Sequence, residues 1–262
     1  MERTSEFRGS ELPEESAAAL RSALFEQISR GAIDLHHAAA SHRRHLAAHA
    51  ELIRSHEAQS EVGILLKGWA CRYRLLPDGR RQILDVHLPG DLIGLDGFLM
   101  KRSPDFVMTL TEVLYGSIDH DRFQRLIANR DVALHILAML VAEKRRLDEH
   151  LATVGQMVAE EKIAALLLEL YIRLRHRQIV KGKSFHFPLT QQQLGDFLGM
   201  TVVHVNRVLK RLRDGGIVNV KHRVVVIHDM TRLVNLAAGR AHAAPSAKAA
   251  AAASTELHPS AG

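Results

Sequence analysis

Residues 191–210 read QQQLGDFLGMTVVHVNRVLK, a pattern of two short helices joined by a tight turn. Thr190 and Thr201 precede the two helices as N-caps, because a threonine hydroxyl accepts a hydrogen bond from the first helical turn. Gly195 is small where the helices must cross closely, and Gly199 can take the positive φ that the turn needs. The apolar residues that face a common core are Leu194, Leu198, Val205 and Val208. This spacing predicts a helix-turn-helix.

The flanking residues predict a β-hairpin wing beside the two helices. A short strand is predicted at 184–188, and Gly215-Gly216 ends the second helix. Apolar and polar residues then alternate at 217–220 and 223–227, around Lys221-His222. Alternation of this kind is typical of a hairpin. The segment is therefore predicted to be a winged helix-turn-helix.

The polar face of the second helix is predicted to bind DNA. In a helix-turn-helix, the start of the second helix enters the major groove. Arg207 can offer a bidentate fork to guanine, and His204 and Asn206 can also reach base edges. The alternative for Arg207 is a surface salt bridge. Residues near phosphates position the protein without reading sequence. The predicted DNA-binding residues are Thr190, Gln191, Gln192, Thr201, Val203, His204, Asn206, Arg207, Lys210, Lys221 and Arg223.

The charge of the 262-residue chain is concentrated in the same region. The net charge is +6. Residues 181–240 contain ten Lys or Arg and three Asp, whereas the other residues contain 25 basic and 26 acidic groups. Such asymmetry indicates a nucleic-acid-binding domain attached to a neutral one. A solvated basic face without a partner is the alternative.

Two further segments precede the basic region. Between 47 and 119, short apolar runs alternate with Gly and Pro turns, which predicts a small antiparallel roll or barrel. From 122 to 157 a long proline-free helix is predicted, with an apolar stripe at heptad-like spacing. A second copy of the helix is the natural partner of this stripe, and a long core helix in a monomer is the alternative. The predicted dimer-helix residues are Leu137, Leu140, Leu147, Leu151 and Val154.

This order of parts resembles the Crp–Fnr superfamily of bacterial transcription regulators over residues 45–236. The residues that carry the resemblance are LTQQQLG at 189–195, VHVNR at 203–207, LKGW at 66–69 and LPGD at 88–91. The phrase HVNR is most similar to the FixK-like group. The resemblance implies a homodimer that binds a palindromic DNA site, with RNA polymerase as a further partner. Many relatives place a glutamate where Val203 stands, so the half-site is expected to differ there.

The resemblance implies an α+β fold with an N-terminal cyclic-nucleotide-binding-like β-roll, a long dimerisation helix and a C-terminal winged helix-turn-helix. We predict five segments. They are a disordered or helical extension (1–30), a β-roll sensor (31–121), the dimerisation helix (122–158), the DNA-binding domain (159–240) and a disordered Ala-rich tail (241–262).

The known sensor chemistries of the superfamily are not matched. Relatives that bind cyclic AMP carry Gly-Glu after the Pro-Gly-Asp turn and then an arginine for the phosphate. Gly94-Leu95 and Phe106 stand in those places, so tight cyclic-AMP binding is not expected. The cysteine cluster of oxygen sensors and the cysteine and histidine of haem sensors are also missing. An effector, whose identity is unknown, is expected at Gly90, Asp91, Gly94, Leu95 and Phe106.

Other chemistries find little support in the sequence. Cys71 is the only cysteine, so internal disulfides and multi-cysteine metal sites are excluded, and a buried inert thiol is expected. His45 and His49 could share a metal if they were helical, but no metal or cofactor is predicted. No catalytic residues, transmembrane segment or secretory signal are found, so a cytoplasmic regulator that is not an enzyme is expected. The alternative function is an effector-binding sensor that acts through a protein partner.

Overall fold

The computed structural model describes residues 14–240, which form an N-terminal β-roll domain, a long helix and a C-terminal winged helix-turn-helix domain. The predicted tail 241–262 and the first 13 residues lie outside the described residues. The helices are α1 (Glu14–Ala40), α2 (Leu95–Met100), α3 (His120–Ile127), α4 (Arg130–Gln156), α5 (Ala159–His176), α6 (Gln191–Leu198), α7 (Val202–Asp214) and α8 (Met230–Ala237). The strands are β1 (Arg43–Leu46), β2 (Glu51–Ile53), β3 (Glu61–Lys67), β4 (Ala70–Leu75), β5 (Arg81–His87), β6 (Leu92–Ile93), β7 (Phe106–Thr109), β8 (Val113–Asp119), β9 (Ser184–His186), β10 (Val218–Lys221) and β11 (Val224–Ile227).

The α+β fold class is confirmed, with a roll of two four-stranded antiparallel sheets at its N-terminal side. The strand orders are β1-β8-β3-β6 and β2-β7-β4-β5. Buried aliphatic residues such as Leu65 and Val107 fill the space between strands, as the short apolar runs require. Gly68 has a φ of 88° where β3 turns into β4, and a Cβ there would stand 2.3 Å from the backbone oxygen of Glu112.

The long helix begins later than the sequence predicts. The expected helix at 122–158 is two helices, α3 and α4, with a break at Ala128 and Asn129. The Asn129 side chain accepts a hydrogen bond from Asp131 N at 2.8 Å and so caps α4. Asparagine competes for backbone donors in this way, which favours a new N-terminus over a continuous helix.

Helix α1 packs along the first half of α4, and the expected start of the roll at residue 31 falls inside it. A Cβ at Gly31 would stand 2.0 Å from the backbone oxygen of Asp131, so the two backbones approach closely. Arg30 also bonds the Asp131 carboxylate at 2.8 Å. The N-terminal helix is therefore built onto the sensor domain.

The DNA-binding domain combines four helices with a three-stranded sheet of order β10-β11-β9. One hydrophobic core continues from this domain into the roll: Cys71 and Ile83 of the roll belong to the same cluster as Phe197 and Leu198 of α6. The two domains are thus packed on each other within one chain. No helix between residues 14 and 240 is long and apolar enough to cross a membrane.

Candidate DNA-binding surface and sensor pocket

The helix-turn-helix forms through the local features that the sequence predicts. The Thr190 hydroxyl accepts from Gln193 N at 3.1 Å, and the Gln193 side chain accepts from Thr190 N at 2.8 Å. Thr201 caps α7 by accepting from His204 N. Gly199 has a φ of 65°, and a Cβ at Gly195 would stand 2.4 Å from the backbone oxygen of Met200. The prediction of a positive φ at Gly199 is confirmed, whereas Gly195 closely approaches the backbone of the turn at Met200 rather than α7 itself.

Helix α7, the recognition helix, divides into a buried and an exposed face. Val205, Val208 and Leu212 are buried against the rest of the domain. On the other face, Val203 is 67% exposed. The polar residues exposed with it are His204, Asn206, Arg207 and Lys210. The helix therefore presents its predicted base-reading side chains to solvent.

Several cations on this surface form no salt bridge with the carboxylates of residues 22–240. They are Arg207, Lys210 and Lys221, whereas Arg211 bonds Glu160 at 2.6 Å. A groove of about 500 Å³ runs between the start of α6, the recognition helix and the wing. Its polar lining is Gln191, Asn206, Arg207, Lys210, Arg213 and Asn219. The groove thus concentrates positive charge and amide groups.

The wing has a strained turn. Strands β10 and β11 pair with Lys221 opposite Val224, and the two residues between them, His222 and Arg223, have φ values of 50° and 59°. Positive φ at both central positions is the geometry of a type I′ turn, which usually takes Asn-Gly. A histidine and an arginine occupy it here, and both are exposed.

The predicted DNA-binding residues lie on three neighbouring elements and are exposed. Thr190, Gln191 and Gln192 stand at the start of α6, and Gln192 donates to Asp196 at 2.7 Å. Thr201 precedes the recognition helix. Lys221 and Arg223 are at the wing turn.

The stripe on α4 is exposed in the single chain. Leu137, Leu147 and Leu151 are 57%, 53% and 73% exposed, and Leu140 is exposed too. Val154 is half-buried, and its Cγ1 would stand 3.8 Å from a Cβ at Gly199. Large apolar side chains at helical spacing that stay exposed among the described residues indicate an interaction surface.

The cavity at the predicted effector site is small, and Arg72 lines it. A cavity of about 60 Å³ is lined by Gly94, Leu95, Arg72 and Glu143 among others. The Arg72 guanidinium lies 3.0 Å from Glu143 on α4, and it lies 3.7 Å from Asp96 and 3.9 Å from Asp105. The charge at the centre of the pocket is thus neutralised by the chain itself.

The predicted effector residues do not all line the same cavity. Gly90, Asp91 and Leu95 border a second cavity of about 230 Å³ against α4. Asp91 is buried and its carboxylate is bonded to Arg173 and Arg177 of the DNA-binding domain. Phe106 borders neither cavity; its ring stacks on Tyr73 with centroids 5.1 Å apart. The structure therefore does not bring these five residues around one site.

Burial controls the ionisation of two groups near the pocket. It raises the pKa of Cys71 to about 12, so the thiol is protonated at neutral pH, as expected for an inert cysteine. Burial lowers the pKa of His87, opposed by the nearby carboxylates of Asp85 and Asp91. No group of three or more possible metal ligands was found within the described part of the chain.

The sequence did not point to the three arginines that bond carboxylates around these cavities, which are Arg72, Arg173 and Arg177. Arg72 follows Cys71 on β4, and alternation along a strand sends neighbouring side chains to opposite faces. Since Cys71 packs toward the DNA-binding domain, Arg72 faces the pocket. Arg173 and Arg177 are four residues apart on α5 and at its end, so they share one helix face. That spacing was visible in the sequence, but their partner Asp91 is more than 80 residues away.

The fold defines a class of protein in which a β-roll and a long helix precede a winged helix-turn-helix domain with an exposed recognition helix. Residues 161–236 match the Crp-like helix-turn-helix domain, and residues 43–130 match the cyclic nucleotide-binding domain. The chain is 33% identical over 180 residues to the nitrogen fixation regulation protein FixK of Bradyrhizobium diazoefficiens, covering 66% of this chain and 73% of that protein. It is 32% identical to the transcriptional activatory protein AadR of Rhodopseudomonas palustris, covering 70% of this chain and 75% of that protein.

A solved structure agrees with these relatives. The structure of FixK2 from Bradyrhizobium japonicum has a TM-score of 0.66 and 27% identity, and the match covers 74% of this chain and 96% of that one. Matches to several other curated relatives span 60 to 64% of their lengths. The chain belongs to the Crp–Fnr family of transcription regulators.

Proposed function

We propose that the protein is a homodimeric transcription regulator that binds a palindromic DNA operator. Each subunit places its recognition helix in the major groove, and the two helices are separated by one turn of DNA, about 34 Å. It is a regulator rather than an enzyme. Because the chain belongs to a family of transcription regulators, we expect RNA polymerase to be a protein partner.

One observation carries this proposal: the recognition helix exposes Val203, His204 and Arg207 on the face opposite its buried residues. The Arg207 guanidinium has no carboxylate partner among the described residues. This favours a base contact over the alternative role of Arg207 in a surface salt bridge. Unpaired cations at the wing and groove provide phosphate contacts, which make DNA affinity fall steeply with salt.

The exposed stripe on α4 supports the dimer. Four large leucines facing water on one helix cost solvation free energy that burial against an identical helix would recover, at about 25 cal/mol per Å². Lys144 interrupts the stripe but bonds Asp148 on its own helix, so its charge is satisfied at the edge. A two-fold axis along this stripe matches the two-fold symmetry of a palindromic operator.

Replacing Arg207 by alanine tests the assignment of the base-reading residue. The variant is expected to lose about 1–3 kcal/mol of operator affinity and to accept any base at one position of each half-site, because the fork to guanine is gone. Lys210→Ala is the matched control on the same helix, and it should weaken all duplexes about equally. Fluorescence anisotropy with operator variants measures both; uniform weakening by Arg207→Ala would make this residue a phosphate contact instead.

A further inference from the structure

Asp91 lies in the turn after β5 and meets two arginines of the DNA-binding domain. Its Oδ2 accepts from Arg173 Nη2 at 2.7 Å, and its Oδ1 is bonded by Arg177. The same carboxylate accepts from Leu88 N at 2.8 Å, which fixes it in its own turn. The side chains of Asp91 and Arg173 are each only 10% exposed. One buried carboxylate thus joins the sensor turn to the first helix of the DNA-binding domain.

The two arginines also hold the backbone of the sensor domain. Arg173 donates to Val86 O at 2.9 Å, and Arg177 Nε donates to Pro89 O at 2.6 Å. Asp85 extends the network, since its carboxylate lies 3.8 Å from Arg173 and 3.6 Å from Arg146 on α4. The sensor turn, α4 and α5 therefore share one set of charges, which we call the Asp91 network (Asp85, Asp91, Arg146, Arg173 and Arg177).

A second contact lies closer to the recognition helix. On β5, Arg81 bonds Asp196 of α6 at 2.7 Å, and Gln82 donates to Phe197 O at 3.2 Å. Together with the Asp91 network, it fixes both α5 and α6 relative to the roll. Gly195 of α6 lies against the backbone of Met200, in the short turn that leads into α7, so fixing α6 also restrains the recognition helix.

The structure has this arrangement with Arg72 lining the small cavity at the predicted effector site. An anionic ligand in that pocket would meet Asp96 and Glu143 as well as this one guanidinium, which Asp105 also approaches to 3.9 Å, so it would gain little charge compensation. The remaining space of about 60 Å³ is the size of a few water molecules. The second cavity, lined by Asp85, Asp91, Arg146 and Arg177 among others, holds about 230 Å³, which is below the roughly 300–1,000 Å³ that is typical of ligand pockets.

We infer that Asp91 is a positioning residue for DNA binding, and that the Asp91 network holds the recognition helix in its operator-binding orientation without a small-molecule effector. This inference rests on the proposed function. Asp91 touches no DNA; it acts through Arg173 and Arg177 on the domain that does.

Two variants remove this link. Asp91→Asn keeps the shape but removes the charge, and Arg177→Gln removes one of the two arginines while leaving the more buried Arg173 pair intact. Both are expected to weaken binding to a full palindrome by on the order of tenfold, because two recognition helices must then find their relative orientation. Binding to a duplex with one half-site should be unchanged, since it needs only one DNA-binding domain. Arg177→Lys, which retains a donor for Asp91, should restore palindrome binding.

Asp105→Asn is the matched control. Its carboxylate is also buried and bonded to an arginine, Arg74 at 2.7 Å, but both residues lie within the roll. It is expected to lower stability while leaving the ratio of palindrome to half-site affinity unchanged. A purely structural role for Asp91 would be indicated if Arg177→Gln left that ratio unchanged, or if Asp105→Asn lowered it equally, and either result would overturn the inference.

The absence of an effector is tested with wild-type protein unfolded in guanidinium chloride and refolded in buffer alone. Native mass spectrometry checks that the refolded dimer carries no added mass. We expect this protein to bind the palindrome as tightly as protein that was never unfolded. Binding restored only by a small-molecule extract of cells would overturn the inference and leave the proposed function intact. Failure to bind any palindrome or half-site, with or without the extract, would instead reject the proposed function.

Discussion

At the scale of single residues, Val203 is the most informative position on the recognition helix. Its side chain is 67% exposed beside the predicted base-reading residues, and valine cannot accept a hydrogen bond. Valine can contact a thymine methyl, whereas glutamate accepts from the cytosine amine.

Val203→Glu should therefore change which base is preferred at one position of each half-site. A shift toward cytosine of about 1–3 kcal/mol is expected, the usual value for one base contact. Selection of bound duplexes from a random pool, run with both proteins, measures it. Val234→Glu, at an exposed valine of α8, is the control and should leave the half-site unchanged. An identical half-site for Val203→Glu would show that position 203 does not read a base.

At the scale of elements, the residues of the wing turn should lower the stability of the fold and raise its affinity for DNA. Non-glycine residues with positive φ cost about 1 kcal/mol each, and His222 and Arg223 both have it. Replacing them by Asn-Gly should raise the free energy of unfolding by about 1–2 kcal/mol, measured by urea denaturation. The same variant should bind DNA more weakly and with a shallower salt dependence, because the cation of Arg223 is lost. A less stable variant, or unchanged DNA affinity, would contradict this account of the wing.

If the subunits meet along the stripe on α4, one charge within the stripe should separate them. Leu151→Glu places two carboxylates against each other across the proposed two-fold axis, so sedimentation should show a monomer. Leu99→Glu is the matched control, because Leu99 is an equally exposed leucine on α2, outside the stripe. It should remain a dimer. If Leu151→Glu also remained a dimer, the subunits would have to meet elsewhere.

Elements with local sequence signals could be predicted, and the others could not. Thr190, Gly199 and the alternation in the wing act within a few residues, so the helix-turn-helix was predictable to within two residues. The break before α4 was not predicted because Asn129 is a single polar residue within a helical pattern that is otherwise continuous. The spacing of apolar residues does not reveal a single N-cap residue inside a stretch that otherwise favours helix.

At the scale of the whole molecule, the contact between the roll and the DNA-binding domain should make stability depend on pH. Burial lowers the pKa of His87, and an unfolded histidine has a pKa of about 6.5. Below that pH the unfolded chain binds more protons than the folded one, so the free energy of unfolding should fall as pH falls from 7 to 5.5. Its slope is at most about 1.4 kcal/mol per pH unit for one such group.

Urea denaturation at fixed protein concentration measures this slope. His87→Gln should reduce it, because glutamine does not titrate. His45→Gln is the control, at an exposed histidine of β1. Equal slopes in wild-type and His87→Gln protein would show that His87 does not contribute to the pH dependence.

The long-range pairs of the molecule were beyond prediction from one sequence. Asp91 was predicted to line an effector pocket, and its bonds to Arg173 of α5 and to Arg177 at the end of that helix were not predicted. Turn glycines and the Pro-Gly-Asp motif place Asp91 in a turn, but nothing local indicates which element covers that turn. The resemblance to the Crp–Fnr superfamily supplied the order of domains and left their contacts open.

The proposed regulator is tested by selecting bound duplexes from a random DNA pool, with purified wild-type protein and no added ligand. We expect an enriched two-fold palindrome whose half-sites are centred one helical turn apart, about 10 base pairs. Recovery of duplexes without a common sequence, from protein shown to be a folded dimer, would contradict it.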